Sequence, residues 1–287
     1  MIRKLVLSTV LAALVAAGAV ADSHAAGRSN VAALQVALRA HGVYGGTVDG
    51  VFGPGTRSAV RSYQRRRGLL ADGIPGRRTL RSLGRRGRPR LGRRAIRVGA
   101  RGFDVAALQF RLAWRGFPSG PFDGGYGGRT AAAVARFQRW AGLGADGVAG
   151  RATIRALQGR IRRSPLRLGR PVAIASSDRF GPRGNRFHSG LDYPAGHGAT
   201  VRAARSGRVI SAGYDAGGYG NLVVVAHGYG LTTWYAHLAR ITVRPGEGVA
   251  FREQLGTVGA TGFATGPHLH VELRLRGAVL DPRTGLG

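Results

Sequence analysis

The sequence contains no cysteine, which excludes a disulfide framework and any thiolate metal site. A metal would have to sit on histidine, aspartate or glutamate. Acidic residues are scarce: 13 Asp and Glu stand against 44 Lys and Arg, a net charge of +31. Lys4 is the one lysine, so the cations are nearly all arginine. Such a charge points to an anionic partner: nucleic acid, anionic lipid or a wall polymer. Arginine, alanine and glycine share GC-rich codons, so part of the excess is attributable to genomic composition. Aromatic residues make up only 7% of the chain, whereas a nucleic-acid reader needs interleaved aromatics or a groove-reading helix. Hydrophobic residues reach 44%, which excludes wholesale disorder. At one domain per ~150 residues the length suggests two or three compact units.

Long apolar runs are also missing, except at the N-terminus. Met1-Ile2-Arg3-Lys4 is a short positive head, and Leu5 to Ala21 is apolar but for Ser8, Thr9 and Gly18. Two small-x-small sites follow, Ala19-Val20-Ala21 and Ser23-His24-Ala25. This is the three-part layout of a secretory signal peptide, expected to span 1–25. The competing reading is a membrane anchor, since ~17 residues is near the spanning minimum. Export predicts a secreted, wall-associated or periplasmic protein with no membrane attachment after cleavage. It also demotes nucleic acid as a partner.

A repeat fills the first half. Val31-Ala32-Ala33-Leu34-Gln35 returns 74 residues later as Val105-Ala106-Ala107-Leu108-Gln109. The same offset pairs Asp49-Gly50 with Asp123-Gly124, Thr56 with Thr130 and Tyr63-Gln64 with Phe137-Gln138. It also pairs Ala71-Asp72-Gly73 with Ala145-Asp146-Gly147. Two copies are too few for a solenoid and read as two small domains of one kind. Each reads as helix, loop, helix, turn, short helix. Val31, Leu34 and Leu38 recur at helical spacing, and Thr56 to Gln64 forms a second helix with Val60 and Tyr63 inward. The aspartates Asp49 and Asp123 read as turn formers, and Tyr63 and Phe137 as core. Runs rich in Arg, Gly and Pro at 85–101 and 159–170 read as linkers. The charge is uneven, about +25 over 26–170 and +5 from 171 onward, so any attraction to anionic wall polymers belongs to the first half.

From 171 the texture changes to short apolar runs cut by glycines, such as Asn221-Leu222-Val223-Val224-Val225, which read as β-strands with tight turns. Six of the eight histidines lie between 188 and 270. Three groups stand out: His188-Ser189-Gly190-Leu191-Asp192, Tyr235-Ala236-His237-Leu238 and His268-Leu269-His270-Val271-Glu272. Alternation puts His268, His270 and Glu272 on one face of a strand, with Leu269 and Val271 on the other. By the same rule Tyr235 and His237 share a face. Two imidazoles and a carboxylate suit Zn²⁺ with an open fourth position, but alternation cannot say which of His268 and His270 touches a metal. Glu272 either orients a ligand or lies solvated on an edge strand. His227 reads as structural and His197 as a surface residue.

These motifs, with Phe180-Gly181-Pro182-Arg183, Gly198-Ala199-Thr200-Val201, Gly220-Asn221-Leu222, Gly259-Ala260-Thr261-Gly262, Thr265-Gly266-Pro267 and Asp281-Pro282, resemble the lysostaphin/LytM-type zinc metallopeptidases over 171–282. The repeats resemble the three-helix peptidoglycan-binding module. The resemblance implies His188, Asp192 and His270 as ligands of one Zn²⁺ per chain, and His237 and His268 as the catalytic pair. It implies two all-α binding domains, 28–84 and 102–158, ahead of a mainly antiparallel all-β metallopeptidase domain, 171–287. The expected activity is hydrolysis of peptide cross-bridges of peptidoglycan by a monomer. Relatives that lack ligands act as non-catalytic activators of other wall hydrolases. Here the ligand pattern has no departure. Asn221 and Arg183 are candidate groove residues. The Tyr214 to Gly220 loop carries no readable specificity code.

Overall fold

The computed structural model describes residues 27–286. The signal peptide expected at 1–25 lies outside them. Among the described residues no helix is long and apolar enough to cross a membrane. The chain forms two compact units. Among the described residues, one takes in 27–113 with Ser119–Arg160 and Arg183–Arg186; the other holds Trp114–Pro118, Ile161–Pro182 and 187–286.

The first unit is helical and carries both repeats. The first contributes α1 (27–40), α2 (Pro54–Arg66) and α3 (Arg77–Ser82); the second contributes α4 (Phe103–Trp114), α5 (Gly128–Trp140) and α6 (Arg151–Ala156). This is the helix, loop, helix, turn, short helix order expected. Leu34, Leu38, Val60 and Tyr63 are buried, as are their counterparts Leu108, Leu112, Val134 and Phe137. Ile96, inside the arginine-rich stretch between repeats, is fully buried and bridges to Ala149.

A shorter repeat lies within the longer one. Gln35, Gln64, Gln109 and Gln138 are all buried. Each turns its amide onto an Asp-Gly turn. Gln109 Nε2 donates to Asp123 Oδ1 at 2.8 Å, and its Oε1 accepts the Gly124 amide at 3.0 Å. Gln35 does the same with Asp49 and Gly50, Gln64 with Asp72 and Gly73, and Gln138 with Asp146 and Gly147. Each aspartate also caps the amide two residues on, as Asp72 does for Ile74 at 2.8 Å. The glycines of these turns sit at φ 69–76°, and a Cβ on Gly50 would come within 2.7 Å of the Arg28 carbonyl. Only glycine takes that backbone at no steric cost.

The second unit is built on antiparallel strands. Its strands are β1 (Gly181–Arg183), β2 (Arg186–His188), β3 (Leu191–Tyr193), β4 (Thr200–Arg202), β5 (Gly207–Asp215) and β6 (Gly220–Ala226). They continue as β7 (Leu231–Ile241), β8 (Gly248–Val249), β9 (Gln254–Val258), β10 (Leu269–Leu275) and β11 (Ala278–Leu280). The main sheet runs β11-β10-β7-β6-β5-β8, with β3 on β10, and β9 joining β7 to β4. Val223, Val225, Tyr235 and Val271 are completely buried on one face. On the other, Leu222, Val224 and Ala236 form a smaller cluster with Tyr219 and Trp234.

Candidate functional site

β10 is the platform of the site. His270 pairs in register with Asp192 of β3 on one side and Ala236 of β7 on the other. His188 ends β2, and the chain turns through Ser189-Gly190 to reach Asp192 four residues on. Gly190 is required there: a Cβ would collide with the Val271 carbonyl and the His270 ring. The tight turn therefore lays His188 and Asp192 directly against His270.

Hydrogen-bond partners assign the ring nitrogens, because a carbonyl oxygen can only accept. His188 Nδ1 meets the Arg179 carbonyl at 2.9 Å, so Nδ1 carries the proton and Nε2 keeps its lone pair. His270 faces a carboxylate at each ring nitrogen, Glu272 3.3 Å from Nε2 and Asp192 2.7 Å from Nδ1, so a metal on Nδ1 would leave the proton on Nε2. His188 Nε2 and His270 Nδ1 are 3.1 Å apart, and Asp192 Oδ1 lies 3.1 Å from the first and 2.7 Å from the second. Two ring nitrogens and a carboxylate oxygen thus converge on one point, which a cation there, a proton or a metal ion, would hold together. Burial opposes a charge on His270, but its contacts with Asp192 and Glu272 outweigh burial and push its pKa up to about 9. The pocket therefore favours positive charge. Ligand atoms ~2.0–2.2 Å from a tetrahedral Zn²⁺ sit roughly 3.3 Å apart, so the residues present fit zinc with a small outward adjustment. The nitrogen and oxygen donors suit it as well.

His237 and His268 stand beside this triad, with ring centroids 4.7 Å apart. His237 Nδ1 donates to the Thr261 carbonyl at 2.8 Å, and His268 Nδ1 to the Gly266 carbonyl at 2.9 Å. Each therefore keeps Nε2 as its free lone pair. His268 Nε2 is 3.9 Å from Asp192 Oδ1. Burial, aided by His268 and His270, holds the pKa of His237 below its ordinary 6.5 against the pull of the Thr261 carbonyl. His237 is thus neutral at neutral pH.

One expectation is overturned. Tyr235 and His237 do not share a face. Tyr235 turns inward, where its hydroxyl accepts from the Ala204 amide at 2.9 Å and from Thr233. His237 turns the other way, toward His268 and His270. The reason is a break in strand alternation. His237 has φ 62°, and the pairing of β7 slips beside it, against β6 between Asn221 and Val223 of β6 and against β9 between Leu238 and Arg240 of β7. A bulge of this kind re-aims a side chain.

The open question at Glu272 is also closed. β10 is flanked by β7 on one side and by β3 and β11 on the other, and Glu272 is 1% exposed. Burial opposes its ionisation, but Arg274, His270 and Tyr219 hold its pKa down to about 2. His227 is buried between the Ser206 carbonyl and Thr233 Oγ1, a structural role as expected, and His197 is exposed. Asn221 braces the bulge by donating to the Leu238 carbonyl at 3.0 Å. Arg183 is exposed at the end of β1. The sequence reading gave no role to Thr261, Tyr219 or Arg274. Extending the alternation one step beyond Glu272 would have placed Arg274 on the same face.

Residues 186–282 match peptidase family M23, and residues 27–83 and 101–157 each match the family described as "Putative peptidoglycan binding domain". The DD-carboxypeptidase/endopeptidase Mpg of Neisseria meningitidis serogroup B is 44% identical over 97 residues, covering 34% of this chain and 22% of Mpg. The peptidoglycan DD-endopeptidase ShyC of Vibrio cholerae is 37% identical over 132 residues, covering 45% of this chain and 30% of ShyC. The chain therefore spans less than a third of either relative. The antimicrobial peptidase lysostaphin of Staphylococcus simulans aligns in structure at 30% identity and a TM-score of 0.37, over 38% of this chain and 48% of lysostaphin. The chain carries a peptidase family M23 domain, of the lysostaphin and LytM kind, behind two peptidoglycan-binding domains.

Proposed function

We propose that this protein is an exported zinc endopeptidase that hydrolyses peptide cross-bridges of peptidoglycan. The observation that carries the reading is the convergence of His188 Nε2, Asp192 Oδ1 and His270 Nδ1 on one point, with two further imidazoles beside it. Bound there, zinc supplies Lewis acidity and an acidified water. The rest belongs to the chain. His237, neutral and with Nε2 free, accepts a proton from the attacking water. His268, anchored through Nδ1 to the Gly266 carbonyl, presents Nε2 to the same space, and when that nitrogen carries a proton it donates to the reacting carbonyl oxygen and stabilises its charge. The DD-endopeptidase names of Mpg and ShyC favour a D-alanyl–diaminopimelate link over pentaglycine.

The remaining parts follow from that reading. Residues 28–84 and 102–158 bind the wall, 85–101 and 159–170 are linkers, and 171–287 catalyse. The +25 of the first half adds attraction to anionic wall polymers. Digestion of defined muropeptides by the zinc-loaded chain, with the new ends identified by mass, tests the proposal. The expected result is cleavage within the cross-bridge, abolished by a chelator and restored by zinc. A zinc-loaded chain that binds sacculi and cuts no muropeptide overturns it in favour of a wall-binding regulator.

A further inference from the structure

Glu272 is a buried carboxylate, and burying a charge is costly unless every partner is well placed. Such a group is weak evidence for stability, so its position calls for another explanation. Its partners form a chain. Tyr219 donates to Oε1 at 2.8 Å, and Arg274 Nε donates to Oε2 at 2.7 Å. Arg274 in turn donates to the Tyr219 hydroxyl at 2.8 Å and lies over the Trp234 ring, 3.6 Å from its centroid. The carboxylate is thus held from two directions, and its Oε1 faces His270 Nε2. Tyr219 also joins this network to His237, because its backbone carbonyl accepts the His237 amide at 2.9 Å.

We propose that Glu272 is a positioning residue of the metal centre: it holds the Nε2 proton of His270 and so fixes Nδ1 as the ligating atom, while Arg274 and Tyr219 hold Glu272. This rests on reading His188, Asp192 and His270 as the zinc ligands. The two histidines are treated differently. His188 gives its outer proton to a neutral carbonyl, whereas His270 gives its own to a full carboxylate, which raises the donor strength of the ring. Arg274 offsets the added charge, so the pocket does not accumulate two uncompensated anions. The alternation of β10 supplies the ligand, its carboxylate and the cation at 270, 272 and 274, one face in three steps.

The test uses the full chain, stripped of metal and titrated with zinc against a competing chelator. Glu272→Gln keeps the size but turns an amide NH₂ toward Arg274, losing the charge-assisted bonds. Its zinc affinity is expected to fall about 10–100-fold, while the zinc-free variant keeps the wild-type β circular-dichroism spectrum. A second measurement needs no variant. Long-range proton–nitrogen spectra of the zinc-loaded wild type should give His270 the Nε2–H tautomer. Zinc affinity of Glu272→Gln within twofold of wild type, or a proton on His270 Nδ1, overturns the inference. If the wild type itself binds no zinc, the ligand reading fails first and this inference falls with it. If Glu272→Gln does not fold, the tautomer alone decides.

Discussion

His237 sits in a backbone conformation that L-residues avoid, at φ 62° in the middle of a strand. Left-handed backbone at a non-glycine residue costs on the order of 1–3 kcal/mol, and it persists only where the surroundings over-determine it. Here the Tyr219 carbonyl holds the amide, the Thr261 carbonyl holds the ring, and Asn221 braces the next carbonyl. Strain and chemistry can be separated by substitution. His237→Ala keeps the strain and His237→Gly relieves it, so the glycine variant should be the more stable of the two by about 1 kcal/mol in urea unfolding. Both should retain near-stoichiometric zinc and lose about 10²–10⁴-fold in activity, as should His268→Ala. Asp192→Ala and His270→Ala should instead purify zinc-poor and inactive, because three ligands are the minimum for an open catalytic site. Zinc retained by His270→Ala but lost by His268→Ala reverses the assignment. The pH profile carries the sign of the His237 shift. Its pKa is lowered, first by burial, so it remains a free base until the pH falls below 6.5. The acid limb of kcat/KM should accordingly lie below pH 6.5, measured where zinc occupancy is constant; a limb centred above 6.5 contradicts the role.

At the scale of elements, the helical unit starts its helices in an unusual way. α2, α3, α5 and α6 each have glycine at the N-cap, with no side-chain cap and no acid in the first turn. What fixes their starts is a buried threonine on the third helical residue: Thr56, Thr79, Thr130 and Thr153. Each receives a bond from the glutamine of the preceding helix, as Thr153 does from Gln138 at 3.0 Å. The glutamine therefore ties helix, Asp-Gly turn and next helix together. Gln109→Ala leaves the Asp123 carboxylate, the Gly125 carbonyl and the Gly124 amide without this partner. At ~1–3 kcal/mol per buried group left unsatisfied, a loss of about 2–4 kcal/mol is expected in urea unfolding. An acid dependence follows as well. Asp72 and Asp146 have depressed pKa values, first through the backbone amides of Ile74 and Val148, then through Gln64 and Gln138. A depressed folded pKa adds stability above the unfolded value of 3.8, and that stability is lost as pH falls through the folded pKa. The helical signal should therefore unfold at lower urea below pH 3.8, and the double variant Asp72→Asn, Asp146→Asn should flatten that slope.

The same elements mark how far the sequence could be read. The 74-residue offset, the helix order and the turn role of the aspartates were legible because local residue types dictate them. The glutamine clamp was not, since its partner lies 14 residues away in one half of each module and 8 in the other. All five histidine and aspartate positions of the site were legible as motifs, and alternation along β10 held. The turn of His237 was hidden because no glycine marks the bulge. The burial of Glu272 was hidden because an interior position on β10 depends on two three-residue strands, β3, which is distant in sequence, and β11, which follows at once but is too short to stand out.

At the scale of the whole molecule, charge and chemistry are divided along the chain. Residues 26–170 carry about +25 and residues 171–287 +5, so the excess lies on the half of the chain that holds the two peptidoglycan-binding matches, about half of it on the matched segments and half on the arginine-rich stretches that follow each of them. Two recognition modes are then superposed: contacts made by the folded modules, and a long-range attraction that salt screens. Screening separates them, because the Debye length falls from ~30 Å at about 0.01 M to ~3 Å at about 1 M salt. The full chain carrying His268→Ala gives a probe that does not digest its target. Its binding to purified sacculi should weaken steadily across that range, and more steeply for sacculi that retain their anionic polymers than for sacculi stripped of them. Binding that survives at high salt on stripped sacculi measures the modules alone. Equal binding at both salt limits on both kinds of sacculi would make the arginines a solvated coat rather than part of recognition. Release from both at high salt would assign recognition to charge alone, leaving the two modules without a wall-binding role of their own.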